Sequence, residues 1–156
     1  MITSIQLDAL DRQLLRLLQS DASPSHAALA EAVGASAASV WRRIRAMEVA
    51  GVLRATVRLV DARRVDRGVS VICQLRMKSH EQKAREDFER FVRSREEIME
   101  CHSMSGEWDY QMRVVVADVA DYERFLMREL LRHPAVATAA SHFALSQIKY
   151  TTAVPV

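Results

Sequence analysis

The spacing of the apolar residues changes once along this chain of 156 residues, and that change constrains the fold more than any other feature. Up to about residue 50, apolar residues recur every three to four positions, the period of an amphipathic helix. After Gly68, segments that alternate with a period of two, typical of strands, are mixed with two helical segments. A chain of this length holds one ordinary domain or two small ones. The change of period therefore predicts two domains, one helical and one mixed.

The first part of the chain is predicted to contain three helices, over "LDALDRQLLRLLQS", "HAALAEAVG" and "AASVWRRIRAMEVA". Ser25 and Ser36 can cap the second and third helices, and Gly34 can end the second in a left-handed conformation. Two helices joined by a short turn with glycine form a helix-turn-helix. The next stretch, "VLRATVRLVD", has the alternation of a short strand or wing, and "ARRVDRG" is typical of a charged connector.

The second part is predicted to follow the order strand, helix, strand, strand, helix, strand. The corresponding segments are 69–78, 80–96, 98–104, 108–117, 119–134 and 136–150. This order is that of a ferredoxin-like βαββαβ domain. The predicted fold class is therefore α+β, with a (winged) helix-turn-helix domain at 1–60, a linker at 61–68 and a ferredoxin-like domain at 69–156.

Positive charge is concentrated next to the predicted helix-turn-helix. Residues 36–67 contain eight arginines and three acidic residues, although the formal net charge of the chain is only +2. The planar arginine fork suits phosphates and guanine edges, so this block predicts a surface that faces a polyanion. A recognition helix presents its N-terminal residues to base edges. The candidates for base edges are Ser36, Ser39 and Arg42, and the candidates for phosphate contacts or packing are Arg43, Arg45, Arg54 and Arg58.

Trp41 could stack on a base, but its position beside the apolar stripe of the third helix favours packing against the first helix. Met47 and Met104 are likewise expected to be core residues.

The stretch "ECHSMSGEWDYQM", residues 100–112, is dense in side chains that can bind a metal or a ligand or act in catalysis. Cys101 and His102 are adjacent on a predicted strand, where neighbours point to opposite faces, and no CxxC or HxxxH spacing occurs. We therefore predict no metal site and no catalytic residue here, although thiol-dependent sensing by Cys101 remains an alternative. "SGEWD" predicts a hairpin turn at Gly106. It is either a plain hairpin with solvated acids or the rim of a ligand pocket.

Four stretches in this order resemble the Lrp/AsnC family, the leucine-responsive or feast/famine regulators. They are "LDALDRQLLRLLQSDA", "LAEAVGASAASVWRRIRAMEVAGVL", "ECHSMSGEWDYQMRV" and "YERFLMRELLRHPAV". The resemblance implies DNA-binding dimers, formed through the C-terminal domains, that often assemble further to octamers. It also implies a small-molecule effector, usually an amino acid, bound between those domains. The effector residues that it implies are Met104, Ser105, Gly106, Asp109, Ser141 and Tyr150.

Two features differ from the family pattern. The turn before the recognition helix reads "ASAAS", where the family often has a proline, and Ala139 replaces the first hydroxyl of a Thr-x-Thr element that ends at Ser141. The second difference argues against assuming that leucine is the effector.

We therefore expect a transcription regulator that binds double-stranded DNA as a homodimer or a tetramer of dimers and responds to an amino acid, without a cofactor. A cytoplasmic location is expected, because no apolar run approaches the roughly 20 residues of a membrane span and no signal peptide is visible. The alternatives are an architectural DNA-binding protein without an effector and a small-molecule enzyme on a ferredoxin-like scaffold.

Overall fold

A computed structural model describes residues 6–156. The first five residues, part of the stretch in which no signal peptide was predicted, lie outside the described residues. Contacts divide the chain into two units. The helical unit runs to Arg58 and includes Lys149–Val156, and the sheet unit spans Leu59–Ile148. No helix within residues 6–156 has the length and apolar character needed to cross a membrane.

The three predicted helices are confirmed as α1 (Ala9–Ser20), α2 (His26–Val33) and α3 (Ala37–Val49). Each begins at a side-chain cap: the carboxylate of Asp8 accepts from the backbone of Asp11, and Ser25 and Ser36 cap α2 and α3. Gly34 ends α2 with φ of 66°, as its sequence position predicted. The helices enclose an aliphatic core of Leu14, Leu15, Leu29, Ala30, Val40, Ile44 and Met47.

The C-terminal residues differ from the prediction that 69–156 form one domain. The last strand ends at Phe143 instead of continuing to residue 150. Residues Lys149–Val156 belong instead to the helical unit, because Gln19 and Val154 exchange two hydrogen bonds of 3.1 and 2.7 Å. In addition, Arg16 donates to the carbonyl of Val156 over 2.7 Å, and the Val156 side chain packs against the helical core.

The prediction of a wing after α3 is wrong. Residues 54–61 form no strand, and among them Val57, Leu59 and Val60 are exposed. Apolar alternation alone does not make a strand, because a strand also needs a hydrogen-bonding neighbour, and no described strand of this chain pairs with the segment. A short 3₁₀ turn, Ala62–Val65, follows and is capped by Asp61.

The sheet unit confirms the ferredoxin-like order of elements. These are β1 (Val69–Met77), α4 (Gln82–Arg93), β2 (Ile98–Ser103), β3 (Tyr110–Val116), α5 (Val119–Phe125, continued by a π-helical turn over Leu126–Leu130) and β4 (Val136–Phe143). The strands pair antiparallel in the order β2-β3-β1-β4, which makes β2 an edge strand. Alternate strand residues pack against both helices, and the core includes Val71, Leu75, Phe88, Met112, Phe125 and Leu130.

Candidate functional site

The exposed side of α3 carries Arg42, one of the three residues predicted to read base edges. Helix α3 packs onto its unit through Val40, Ile44 and Met47, which are buried. On the opposite side lies a stripe of exposed residues spaced four, three and four positions apart: Ala38, Arg42, Arg45 and Val49. Arg42 forms no ion pair with any other residue in the range 6–156. Its guanidinium donors are therefore available to an external acceptor.

The two serines predicted to read bases lie at the start of α3. Ser36 Oγ accepts a hydrogen bond from Ser39 N over 3.2 Å, so Ser36 stabilises the first turn of the helix. Its hydroxyl proton can still be donated outward. Ser39 is half-buried, and Ser36 is exposed.

Arg43 points toward α1. Its Nη1 lies 2.7 Å from Asp8 Oδ2 and 2.7 Å from Asp11 Oδ1, and Asp11 is buried. These two carboxylates raise the pKa of the Arg43 guanidinium, with Asp11 the larger cause. Of the two roles that the sequence left open for Arg43, this geometry favours packing over a phosphate contact.

The other three arginines of the predicted set are exposed. Arg45 Nη1 lies 3.2 Å from Glu48 Oε2 within the same helix, an exposed pair that contributes little to stability. Arg54 and Arg58 follow α3 in the segment without a strand. Together with Arg42, these residues are the exposed arginines of α3 and of the segment that follows it.

The prediction that Trp41 packs against α1 is wrong. The Trp41 side chain is 56% exposed and lies outside the aliphatic cluster of the helical unit, because that core is already filled by leucine, valine, isoleucine and methionine. Met47 is fully buried, as predicted, whereas Met104 is 41% exposed.

The predicted hairpin joins β2 and β3 through residues 104–109. Gly106 has φ of 116°, a conformation that side-chain-bearing residues rarely adopt, so glycine is required at this turn. Met104 N donates to the carbonyl of Asp109 over 2.9 Å and closes the turn. Of the predicted effector residues, Met104, Ser105, Gly106 and Asp109 are therefore brought together.

Asp109 anchors this hairpin to β1. Its Oδ2 accepts from Met77 N over 2.7 Å, and its backbone N donates to the carbonyl of Leu75 over 3.0 Å. The other carboxylate oxygen, Oδ1, lies 3.7 Å from Nδ1 of His80. Much of the carboxylate is thus occupied in holding the hairpin against the backbone of β1.

Arg76 also belongs to this region, although no sequence motif indicated it. Its guanidinium pairs with the Glu107 carboxylate, its Nε donates to the Glu107 carbonyl over 3.1 Å, and its Cζ lies 5.0 Å from the centre of the Trp108 ring. Only the register of β1 against β3 brings Arg76 beside the turn, and no local motif signals that register.

Ser141 and Tyr150 are not part of the hairpin of residues 104–109, since Ser141 is on β4 and Tyr150 is in the helical unit. Ser141 Oγ is 2.6 Å from Tyr122 Oη beneath the sheet, in a buried environment that raises the pKa of the Tyr122 hydroxyl. Tyr150 belongs to the C-terminal segment of the helical unit and is exposed. Ala139, the position of the missing hydroxyl, packs against the sheet-unit core.

Cys101 and His102 point to opposite faces of β2, as strand alternation predicted. Cys101 packs against the core and His102 is exposed. Burial, followed by the charges of Glu89 and Cys73, raises the pKa of the Cys101 thiol from 9.0 to about 11. The thiol therefore stays protonated near neutral pH, which disfavours the thiol-sensing alternative.

Cys101 also lines a cleft of about 380 Å³ between α4 and β2. None of the six predicted effector residues lines it. Its charged groups already have partners: Arg93 pairs with Glu89, Arg95 with Glu129, and Glu100 with Arg113. We therefore do not place the effector in this cleft.

Comparison with known proteins agrees with both halves of the structure. The family model of the AsnC-type helix-turn-helix domain matches residues 7–48, and that of the Lrp/AsnC ligand binding domain matches residues 70–154. The chain is 37% identical to the DNA-binding transcriptional activator DecR of Escherichia coli, over 96% of this chain and 99% of that protein. It is 32% identical to the glutamate uptake regulatory protein of Zymomonas mobilis, over 96% and 91% of the two chains.

Solved structures give the same result. A transcriptional regulator of Neisseria meningitidis in complex with L-methionine matches with a TM-score of 0.92 and 31% sequence identity. An AsnC family regulator of Agrobacterium tumefaciens matches with a TM-score of 0.91 and 41% sequence identity. Each covers 96% of this chain and 97% of its own. These relatives are regulators, so the enzyme alternative is set aside. On the family models, the relatives and the fold together, the chain belongs to the Lrp/AsnC family of DNA-binding transcriptional regulators.

Proposed function

We propose that α3 enters the major groove of double-stranded DNA and that Arg42 makes the central base contact. The observation that carries this proposal is the exposed guanidinium of Arg42, which has no ion-pair partner within residues 6–156 and lies on the side of α3 opposite the core. A bidentate arginine contact to guanine is the commonest specific contact in the major groove. Ser36 and Ser39 lie at the same end of the helix, and Arg45, Arg54 and Arg58 supply phosphate contacts that fix orientation without reading sequence.

Binding to an operator selected from random duplexes tests this assignment. Arg42→Ala should weaken specific binding by about 1–3 kcal/mol, while binding to unrelated duplex falls much less. Arg58→Ala should weaken binding to the operator and to unrelated duplex to a similar degree, and it should make the affinity less dependent on salt concentration. Unchanged operator affinity of the Arg42→Ala protein would remove α3 as the reading helix.

We further propose that the chain acts in the cytoplasm as a homodimer or a tetramer of dimers. The family membership supports this assembly, and each protomer contributes one recognition helix. Two such helices related by a twofold axis favour a palindromic operator with half-sites about one helical turn apart. Analytical ultracentrifugation of the free protein and of its operator complex measures the stoichiometry.

The effector that we propose is an amino acid bound at the hairpin of residues 104–109. The methionine complex of the Neisseria regulator supports this chemical class. Around Gly106, a Cβ would meet no atom within 4 Å, so a ligand carboxylate can approach the backbone closely. Since Asp109 already binds the Met77 amide, we assign it the positioning of the loop more than direct capture of the ammonium group. Ser141 and Tyr150 complete the proposed set as residues outside the hairpin.

A thermal-shift screen with the twenty amino acids tests the effector, starting with methionine, glutamate and leucine. A true effector at 100 times its dissociation constant stabilises the native state by about 2.7 kcal/mol. Asp109→Asn should weaken that response, whereas Glu96→Gln, a change of an exposed carboxylate outside the hairpin, should leave it unchanged. No response to any amino acid, in melting or in DNA binding, would favour the architectural alternative.

A further inference from the structure

We propose that Trp41 reads a thymine in the operator by packing its indole ring against the 5-methyl group of that base. This inference rests on the proposed function, namely that α3 enters the major groove. It adds a specificity-determining contact of a different kind from the arginine and serine contacts, because it is apolar.

The first observation is that Trp41 lies outside the apolar core of the helical unit. It is the sole aromatic residue among positions 1–58, and the core beneath α3 is complete without it. The side chain is 56% exposed. Leaving so large an apolar ring in water forgoes a burial worth more than that of most other side chains. An exposed ring of this size on a functional helix therefore points to a partner.

The second observation is the position of Trp41 on α3. It lies in the second turn, directly before Arg42 and one turn after Ala37 and Ala38, whose side chains are small. Residues in the first turns of a recognition helix approach base edges most closely. Two alanines at its start let the helix sink into the groove, which brings the ring of Trp41 near the bases beside the one that Arg42 contacts.

The third observation concerns what holds this orientation. Arg43, the other neighbour of Arg42, is bound to Asp8 and Asp11 at the start of α1. These two contacts hold α3 against α1 on the side of Arg43, while both Trp41 and Arg42 are exposed.

The chemistry selects thymine among the four bases. The major-groove edge of thymine presents a methyl group beside its O4 acceptor, whereas cytosine has only a hydrogen on C5 and the purines have no methyl group there. An indole ring gains from burying that methyl group and gains little from the other edges. The alternative is a protein partner for Trp41, and the test below separates the two.

The test compares thymine with deoxyuridine, which lacks only the methyl group, at every thymine of an operator selected with the full chain. For the wild-type protein, one thymine next to the guanine contacted by Arg42 should show about a fourfold loss on substitution by deoxyuridine, the equivalent of one buried methyl group. Trp41→Ala should bind both operators with equal affinity. Val49→Ala, which changes another exposed apolar residue of α3 about two turns further along, should keep the fourfold difference.

A second measurement does not depend on the fold of the alanine variant. The chain has two tryptophans, so Trp108→Phe leaves Trp41 as the sole indole fluorophore. Its emission should shift to shorter wavelength when the operator binds and remain unchanged with an equal concentration of unrelated duplex.

The outcomes are distinguishable. If Arg42→Ala weakens binding but Trp41→Ala keeps the preference for thymine over deoxyuridine, the inference about Trp41 fails and the proposed function stands. If Trp41→Ala alters the oligomeric state and not the thymine preference, Trp41 contacts protein and the inference is likewise overturned. If Arg42→Ala has no effect on operator affinity, the proposal that α3 reads the DNA is overturned, and the inference about Trp41 is overturned with it.

Discussion

The guanidinium of Arg43 lies 2.7 Å from the buried carboxylate of Asp11 and joins α3 to α1 within the helical unit. Asp11 also caps its own helix, because its carboxylate accepts from the backbone N of Asp8 over 3.1 Å. One arginine thus connects the start of α1 to the middle of α3. Its neighbour Arg42, one position earlier, has no such partner among residues 6–156.

We predict that Arg43→Ala destabilises the helical unit, whereas Arg42→Ala does not. Removal of Arg43 leaves the buried carboxylate of Asp11 without its cation, at a cost of about 1–3 kcal/mol in the free energy of unfolding. Urea unfolding followed by circular dichroism measures that loss. The matched Arg42→Ala protein should unfold within about 0.5 kcal/mol of wild type and differ only in DNA binding. Equal stability of the two variants would show that the contact to Asp11 is not formed in solution.

A second prediction concerns two glycines of the sheet unit: Gly106, in the turn between β2 and β3, and Gly68, just before β1. Gly106→Ala should destabilise by about 1 kcal/mol or more, because φ of 116° is unfavourable for alanine although no atom lies near the added Cβ. At Gly68 an added Cβ also has no atom within 4 Å, and φ is not positive, so Gly68→Ala should leave the free energy of unfolding nearly unchanged. Paired urea titrations of the two variants measure the difference. Similar stabilities would show that the 104–109 turn relaxes to accommodate alanine.

The helical unit was predictable because its signals are local. The capping serines Ser25 and Ser36, the left-handed Gly34 and the helical spacing all act within a few residues, so the sequence shows them directly. The role of Trp41 was not predictable in this way. Helical spacing placed it beside the core stripe, but whether a flanking ring is buried depends on how completely other helices fill the core.

The candidate effector site was predictable only in part, for a related reason. Met104, Ser105, Gly106 and Asp109 share one hairpin, so the motif brought them together. Arg76 and Met77, at the end of β1, and His80, just after it, contact the same hairpin because β1 pairs with β3, and no short motif reports that pairing. Likewise, the prediction of a wing was wrong because the alternation of apolar residues concerns side chains alone, whereas a strand needs a second segment to which its backbone can hydrogen-bond.

The Cys101 thiol should react slowly at neutral pH. Its pKa of about 11 lies above the ordinary 9.0, because burial disfavours the thiolate. Alkylation by iodoacetamide, followed by peptide mass spectrometry, should therefore accelerate until the pH approaches 11. The same shift lowers stability between pH 9 and 11, since the unfolded chain releases this proton earlier than the native state. Fast alkylation at pH 7–8 would contradict the burial and restore thiol sensing as an alternative.

The contact between Ser141 and Tyr122 leads to the last prediction, on whether Ser141 serves the effector or the fold. Its Oγ lies 2.6 Å from Tyr122 Oη, so Ser141→Ala leaves a buried hydroxyl without its partner and should cost about 1–2 kcal/mol. In a Tyr122→Phe background the same change should cost less, because no hydroxyl is then left unpaired. The double-mutant cycle should therefore give a coupling energy of about 1 kcal/mol in urea unfolding. The thermal shift by the amino-acid effector is measured on the same four proteins. Zero coupling together with a lost ligand response in Ser141→Ala would assign Ser141 to the effector instead.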